Sequence, residues 1–338
     1  TNANALTIVP TFDGTFTNYS QAASIKATIY ATIAEYEAAI LDPIKAEIIF
    51  TLTTNGLGGS GAYTTDTTYT NYRNALISRA TSSQDTAALA SVPNASVNPV
   101  NGASVLTVSP SLALTLGFDT NTYSGLIYLN PSICNINPET DADPGRYSLF
   151  SVICHEIDEL LGGGGGGCAL NGTNGTPAPT NTIKPLDLFR YAYAGGTPIR
   201  SFNTAAGTVC YFSINGTTNA ILAQFNQNDQ GDYGDFATGA TPLIQDAFGT
   251  PGAQDSITVE WTMLDIIGYR WNGHTNVWSH ATGASGAGTV YSPASISGAL
   301  DLVAPGGVVL MKAGSYDHPG RISTACKLKA VNGNARIH

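Results

Sequence analysis

One histidine and three carboxylates occur within five residues, in the order His155-Glu156-Ile157-Asp158-Glu159. Residues four apart lie on one face of an α-helix, so His155 and Glu159 can point at the same ion. Zinc accepts imidazole nitrogen and carboxylate oxygen as ligands, and a catalytic zinc site combines three protein ligands with a water molecule. Glu156 lies beside the open coordination position and is the expected general base for that water. The spacing therefore predicts a helix-borne zinc site.

The segment that carries this motif is predicted to be a buried helix from Arg146 to Gly162. Its apolar residues recur at helical spacing, and glycine is a typical helix end. The alternative is a surface turn with a solvated histidine. A buried helix rarely carries three carboxylates and a histidine without pairing or a metal, so we expect the buried helix.

The flanking segments predict an α+β fold. Before the helix, the patterns indicate a strand at 6–12, a helix at 19–41, a strand at 45–53, one or two helices within 66–91 and a short strand at 125–130. After it, a six-glycine run and a Pro/Thr/Asn-rich stretch to residue 182 predict a flexible loop. Short strands within 183–225 and a helix at 258–268 follow. We expect this first domain to span residues 1–270, followed by a linker at 271–288 and a small β-rich segment at 289–338.

Composition excludes several classes of function. The 338 residues carry a net charge of −10, and only 11% of them are charged. Sparse Lys and Arg argue against nucleic acid or an anionic membrane as partner. No apolar run reaches the roughly 18 residues that span a bilayer. A surface rich in Thr, Ser, Asn and Gly is typical of secreted proteins, so we expect an extracellular or cell-surface location, with Thr1 as a mature N-terminus.

The His155–Gly162 segment resembles the zincin metallopeptidases, whose helix reads H-E-x-x-H. It is more similar to a family of secreted bacterial metalloproteases in which the helix reads H-E-I-x-E-V-L-G. The wider match covers roughly residues 6–270 and includes the motifs at 8–12, 125–130, 185–191, 212–216, 231–236, 246–248 and 264–269. The resemblance implies a zincin-like fold, zinc and a peptide or protein substrate. It also implies that Leu126–Leu129 is an edge strand to which that substrate adds.

Two positions depart from the metzincin pattern, which expects histidine where this chain has Glu159 and Gly165. A carboxylate such as Glu159 can replace the second histidine of the motif, and the third ligand is then open. Asp187 is the first choice, since the aspzincins take their third ligand from an aspartate downstream of the helix. Asp187 as a partner of the backbone or of a nearby arginine is an equal alternative, and His274 and His280 are weaker candidates.

A second acidic cluster contains Asp229, Asp232 and Asp235 among glycines that permit tight turns. Carboxylates at this spacing could hold Ca²⁺ through oxygen ligands, although the spacing is not that of an EF-hand. The alternative is a polar loop that caps a helix. The sequence thus predicts a candidate calcium site with the loop as its competing interpretation.

Residues 289–338 resemble the first coils of right-handed parallel β-helices of the pectin-lyase type. Such coils bury their apolar face only by stacking, so we expect either that this segment is a truncated part of a longer protein or that it forms a homo-oligomer or filament. Five of the 14 cationic residues lie here: Lys312, Arg321, Lys327, Lys329 and Arg336. The alternative function is therefore an extracellular structural or adhesive subunit on a degenerate protease scaffold, self-assembling through this segment.

Overall fold

The computed structural model describes residues 5–137, 140–141, 143–170, 182–205, 207–253, 255, 257–271, 274–281, 288, 293–318 and 320–338. Helices and strands both contribute, so the predicted α+β mixture is confirmed. The helices are α1 (Ala22–Ala39), α2 (Tyr69–Arg79), α3 (Ser83–Ser91), α4 (Pro110–Leu116), α5 (Leu149–Leu161), α6 (Thr258–Ile267) and α7 (Ile296–Leu302). The strands are β1 (Thr7–Phe12), β2 (Lys45–Leu52), β3 (Gly58–Gly61), β4 (Thr65–Thr68), β5 (Val105–Val108), β6 (Tyr123–Leu129), β7 (Cys134–Asn135), β8 (Tyr147–Ser148), β9 (Arg190–Ala194), β10 (Thr197–Arg200), β11 (Tyr211–Ser213), β12 (Ile221–Gln224), β13 (His274–Ser279), β14 (Val303–Tyr316) and β15 (Lys327–Ile337). In this part of the chain no helix is long and apolar enough to cross a membrane.

A four-stranded sheet in the order β1-β2-β6-β3 supports the motif helix. β1, β2 and β6 run parallel, and β3 runs antiparallel to β6 at the edge. The expectation that Leu126–Leu129 forms the edge is therefore wrong, because β3 pairs along the far side of β6. The Gly-Gly-Ser-Gly sequence of β3 has no side-chain alternation, so it does not predict a strand.

Helix α5 packs against β3, β6 and α1. It begins three residues later than predicted, because the Ser148 hydroxyl accepts a hydrogen bond from Ser151 N at 3.3 Å and caps the first turn. It ends at the predicted glycine, since Gly162 adopts a φ of +98°, which favours glycine. The core face and both caps of α5 are thus fixed by local sequence.

The glycine run Gly162–Gly167 is almost entirely buried, so the prediction that it belongs to a flexible loop is wrong. A Cβ on Gly166 would overlap the backbone of Glu159. The run passes so close to the motif helix that side chains would not fit. The remainder of that predicted loop, residues 171–181, lies outside the described residues.

The C-terminal segment forms a parallel sheet in the order β13-β14-β15. β13 lies within the stretch expected to be a linker, and residues 282–287 of that stretch lie outside the described part. A separate apolar cluster fills this unit and includes Val277, Val309, Met311 and Tyr316. Parallel pairing agrees with stacked coils, while the resemblance to a β-helix stays a prediction.

Two buried carboxyl groups make stability depend on pH. Burial raises the pKa of Asp158 to about 7, although the Tyr36 hydroxyl lies 2.8 Å from its Oδ1. Burial and the nearby Asp85 carboxylate raise the pKa of Asp265 to about 6. In an unfolded chain both groups titrate near pH 4. The native protein therefore holds protons that the unfolded chain has lost between about pH 4 and pH 7, and its stability falls as the pH rises through that window.

We expect chelator-treated protein to have a higher free energy of unfolding in urea at pH 5 than at pH 8. Asp265→Asn mimics the protonated group and lies far from the motif in the chain, so it should flatten this dependence and stabilise the protein at pH 8. A free energy of unfolding that increases from pH 5 to pH 8 would contradict the assignment.

Candidate metal centre

Helix α5 and a loop after β12 bring three ligand-type side chains together. His155 Nε2 lies 4.0 Å from Glu159 Oε1 and 3.5 Å from Asp235 Oδ2. One ligand atom from each residue lies within 4.8 Å of the other two. The predicted pair on α5 therefore shares a face, and the third member of the group is Asp235.

The His155 ring is oriented by the backbone of Ile244, whose carbonyl oxygen lies 2.9 Å from Nδ1. A carbonyl oxygen only accepts, so Nδ1 carries a proton and a neutral ring has its lone pair on Nε2. Nε2 is the atom that faces Asp235. This arrangement is typical of histidines that bind metals, because the second hydrogen bond fixes both tautomer and orientation.

The Asp235 carboxylate is held by two donors. Its Oδ1 accepts hydrogen bonds from Gly165 N at 2.7 Å and from Gln245 Nε2 at 2.9 Å. This leaves Oδ2 directed towards His155. Gly165 is the position at which the metzincin pattern expects a third histidine, and here its amide positions a carboxylate instead.

Buried Arg190 fixes the loop that carries Asp235. Its Nη1 donates to the Tyr233 carbonyl oxygen at 2.5 Å, and its guanidinium lies 4.4 Å from the centre of the Phe225 ring. Asn226 N donates to the Asp235 carbonyl oxygen at 2.8 Å. These contacts hold in place the loop that positions the third carboxylate, Asp235.

The Glu159 carboxylate has one satisfied and one unsatisfied oxygen. Ser60 Oγ, from the edge strand β3, donates to Oε2 at 2.6 Å. Glu159 Oε1 is buried and has no hydrogen-bond partner among the described residues, and the same holds for Glu156 Oε2. Buried carboxylate oxygens without donors are costly, and a bound cation would satisfy them. The donor set of one nitrogen and two carboxylates fits a divalent metal ion.

The electrostatics of the group also favour a cation. Burial raises the pKa of Glu159 well above its usual range, and the neighbouring Glu156 and Asp235 carboxylates add to this. Burial works to lower the pKa of His155, but the surrounding carboxylates raise it well above its usual range. Both shifts favour the protonated form of each group, and a metal ion would compete with those protons.

Glu156 lies against the edge strand, outside the group of three. A Cβ on Gly58 would be 2.5 Å from Glu156 Oε1, so a glycine is required for this approach. Burial raises the pKa of Glu156 to about 7. Both Glu156 and His155 line one open cavity. A carboxyl group with a pKa near 7, exposed to a cavity, is suited to exchange protons with a ligand there.

Asp187 is not brought into the group. Its Oδ2 accepts hydrogen bonds from Ala169 N and Lys184 N, both at 2.9 Å, and its Oδ1 lies 3.0 Å from the Cys168 sulfur. It thus ties together the two chain ends that flank residues 171–181. This is the backbone role that the sequence left open as the alternative to metal binding.

The acidic cluster does not form one site. Asp235 faces His155, Asp232 lines a second cavity with Glu159, and Asp229 is exposed and accepts from Gln230 Nε2 at 3.1 Å. Among the described residues these three carboxylates do not gather round a common point. The candidate calcium site is therefore not assembled in this structure.

Among the residues whose side chains the structure describes, His280 and the cysteines add no further ligand to the group. The side chain of His274 lies outside the described part, and His280 follows strand β13 in the C-terminal unit. All five cysteines lie within the described residues and are free of disulfides: Cys134, Cys154, Cys168, Cys210 and Cys326.

Comparisons of the chain with protein family models, with curated proteins and with solved structures gave no match. Function is therefore inferred from the geometry of the site.

Proposed function

We propose that this protein is a secreted zinc-dependent peptidase, and that its first domain has a zincin-like fold. The observation that supports it most is the group of His155, Glu159 and Asp235 beside a buried Glu156, whose Oε2 has no donor among the described residues. Three protein ligands with a carboxylate at the open side form the arrangement that metal-assisted hydrolysis requires.

In this proposal His155 Nε2, Glu159 and Asp235 hold the zinc ion. When bound, zinc would polarise the substrate carbonyl and lower the pKa of a water molecule. Glu156 accepts a proton from that water and delivers it to the leaving amine, which is the role of a general base followed by a general acid. Ser60 and Gln245 orient Glu159 and Asp235.

The edge strand β3 is the proposed docking site for the substrate backbone. Within the described residues β3 pairs only with β6, so its other edge is free for an extended peptide. One cavity adjoins its start at Leu57 and Gly58, and another adjoins its end at Ser60 and Gly61. A peptide along β3 would therefore place side chains in both cavities and a peptide bond beside Glu156.

Hydrolysis of denatured casein by the zinc-loaded protein tests this proposal, with the chelator-treated protein as control. Cleavage that stops on chelation and returns with zinc is the expected result. Cleavage that is unaffected by chelation, or no cleavage by zinc-loaded protein, would contradict it.

The open edge of β15 favours a second candidate function, self-assembly as an extracellular structural subunit. β15 is an eleven-residue strand that pairs only with β14 in the described part of the chain. Its exposed side chains include Lys327, Lys329 and Arg336, while the protein as a whole has a net charge of −10. Unpaired strand edges are templates for further pairing.

If this second function holds, the full chain should form oligomers in light scattering that disappear on deletion of residues 289–338. The circular dichroism of the truncated protein checks that the first domain stays folded. A full chain that is monomeric at all concentrations would exclude assembly through this segment.

A further inference from the structure

The cavity beside His155 and Glu156 is large enough for one side chain. Its volume is about 130 Å³, close to the ~150 Å³ of an engineered cavity that binds benzene. It opens next to Gly58 of the edge strand, where a docked peptide would lie. A substrate side chain beside the cleaved bond is therefore its natural occupant.

The walls of this cavity combine apolar side chains with polar ones, and His155 and three carboxyl groups are among them. Leu57, Val152 and Leu243 line it together with the carboxyl groups of Asp246 and Asp255. No lysine or arginine is among the described residues that line it. Such a lining suits a side chain with an aliphatic stem and a cationic end.

Asp246 supplies the observation that points to a ligand. The residue is only 5% exposed, and its Oδ2 accepts from Leu243 N at 3.2 Å. Its Oδ1 is buried without a hydrogen-bond partner in the described structure. Burial raises the pKa of Asp246 to about 7, and the nearby Asp255 carboxylate adds to this. The cavity therefore contains a desolvated carboxylate oxygen that lacks a donor.

We infer that this cavity binds a lysine or arginine side chain of the substrate, with Asp246 as the specificity-determining carboxylate. The stem packs on the apolar walls, and the ammonium or guanidinium group donates to Asp246 Oδ1, with Asp255 adding to the attraction. The inference rests on the proposed function, since it assumes that a peptide lies beside Glu156.

Binding of blocked lysine, arginine and norleucine amides to the full chain, measured by NMR titration, tests this inference without relying on hydrolysis. Norleucine has the stem of lysine without its charge. Because hydrogen bonds to charged groups contribute more than neutral ones, we expect lysine or arginine to bind about 10-fold or more tightly than norleucine. In Asp246→Asn that difference should fall to about 3-fold or less. Asp66→Asn, which removes an exposed carboxylate that lines neither cavity, is the matched control and should keep it.

Equal binding of norleucine and lysine, a preference that persists in Asp246→Asn, or no binding at millimolar concentration would overturn the inference. The cleavage pattern on casein separates it from the proposed function. Cleavage without preference for basic residues would refute the cavity assignment and leave the peptidase intact. Selective lysine binding by a protein that cleaves nothing would support the cavity assignment and refute the peptidase function.

Discussion

Replacing Glu156 with glutamine is expected to lower kcat/KM for peptide hydrolysis by about 100- to 10,000-fold, the usual contribution of a positioned general base. Glutamine has nearly the same shape but cannot take a proton from water. Because Glu156 lies outside the group of three ligands, zinc affinity should change little. Removal of a buried carboxyl group with a raised pKa should also leave the fold at least as stable.

The matched control for this variant is Glu47→Gln. Glu47 is 40% exposed on β2 and pairs with Lys45, an exposed ion pair that contributes little to stability. Its substitution should leave hydrolysis and zinc content unchanged. Activity of Glu156→Gln within about 3-fold of the unsubstituted protein, far below the loss expected for a general base, would exclude Glu156 from that role.

Replacing Asp235 with asparagine is expected to weaken zinc binding by more than about 100-fold. Substitution of residues that merely support metal ligands lowers metal affinity by about 10- to 100-fold, and loss of a ligand should exceed this.

Replacing Asp187 with asparagine is expected to change stability rather than zinc affinity. It leaves zinc affinity unchanged but weakens the hydrogen bonds to Ala169 N and Lys184 N, at a cost of about 1–3 kcal/mol.

Competition with a chromophoric chelator measures the zinc affinity of both variants, and urea unfolding measures their stability. The contrast between the two variants distinguishes a ligand from a structural carboxylate. The opposite result would be loss of zinc in Asp187→Asn at normal stability, together with normal zinc affinity in Asp235→Asn. It would show that Asp187, the third ligand predicted from the sequence, binds the metal in place of Asp235.

The motif helix is the part of the site that sequence predicts well, for physical reasons. A helix is a local structure, so the spacing of His155 and Glu159 places both on one face wherever the helix lies. Gly162 ends the helix because its positive φ is a local requirement. The two candidate ligands on α5 and the acid beside them therefore follow from nearby residues alone.

The third member of the group could not be predicted with the same certainty, because it depends on tertiary packing. Asp235 faces His155 because its other oxygen is held by the Gly165 amide, which is 70 residues away in sequence, and by the Gln245 side chain. The acidic cluster around Asp235 was a visible signal, but its pattern suggested a separate calcium site. Asp187 had the expected position after the helix, yet its carboxylate is used by backbone amides.

Two glycine-rich segments beside the site have structures that glycine composition does not predict. Gly162–Gly167 indicates flexibility by composition, but it is packed against Glu159 and nearly all of it is buried. Gly58–Gly61 lacks strand alternation, yet it forms the edge strand beside Glu156. In both segments glycine allows close approach of the backbone, which sequence patterns do not distinguish from a loop.

If the proposed function holds, one zinc ion is bound by His155, Glu159 and Asp235. Anomalous diffraction at the zinc edge from crystals of the zinc-loaded protein tests it most directly. We predict one peak within about 2.0–2.2 Å of His155 Nε2 and of an oxygen of each carboxylate. The absence of a peak at this group, or a peak bound to Asp187 instead, would contradict the account.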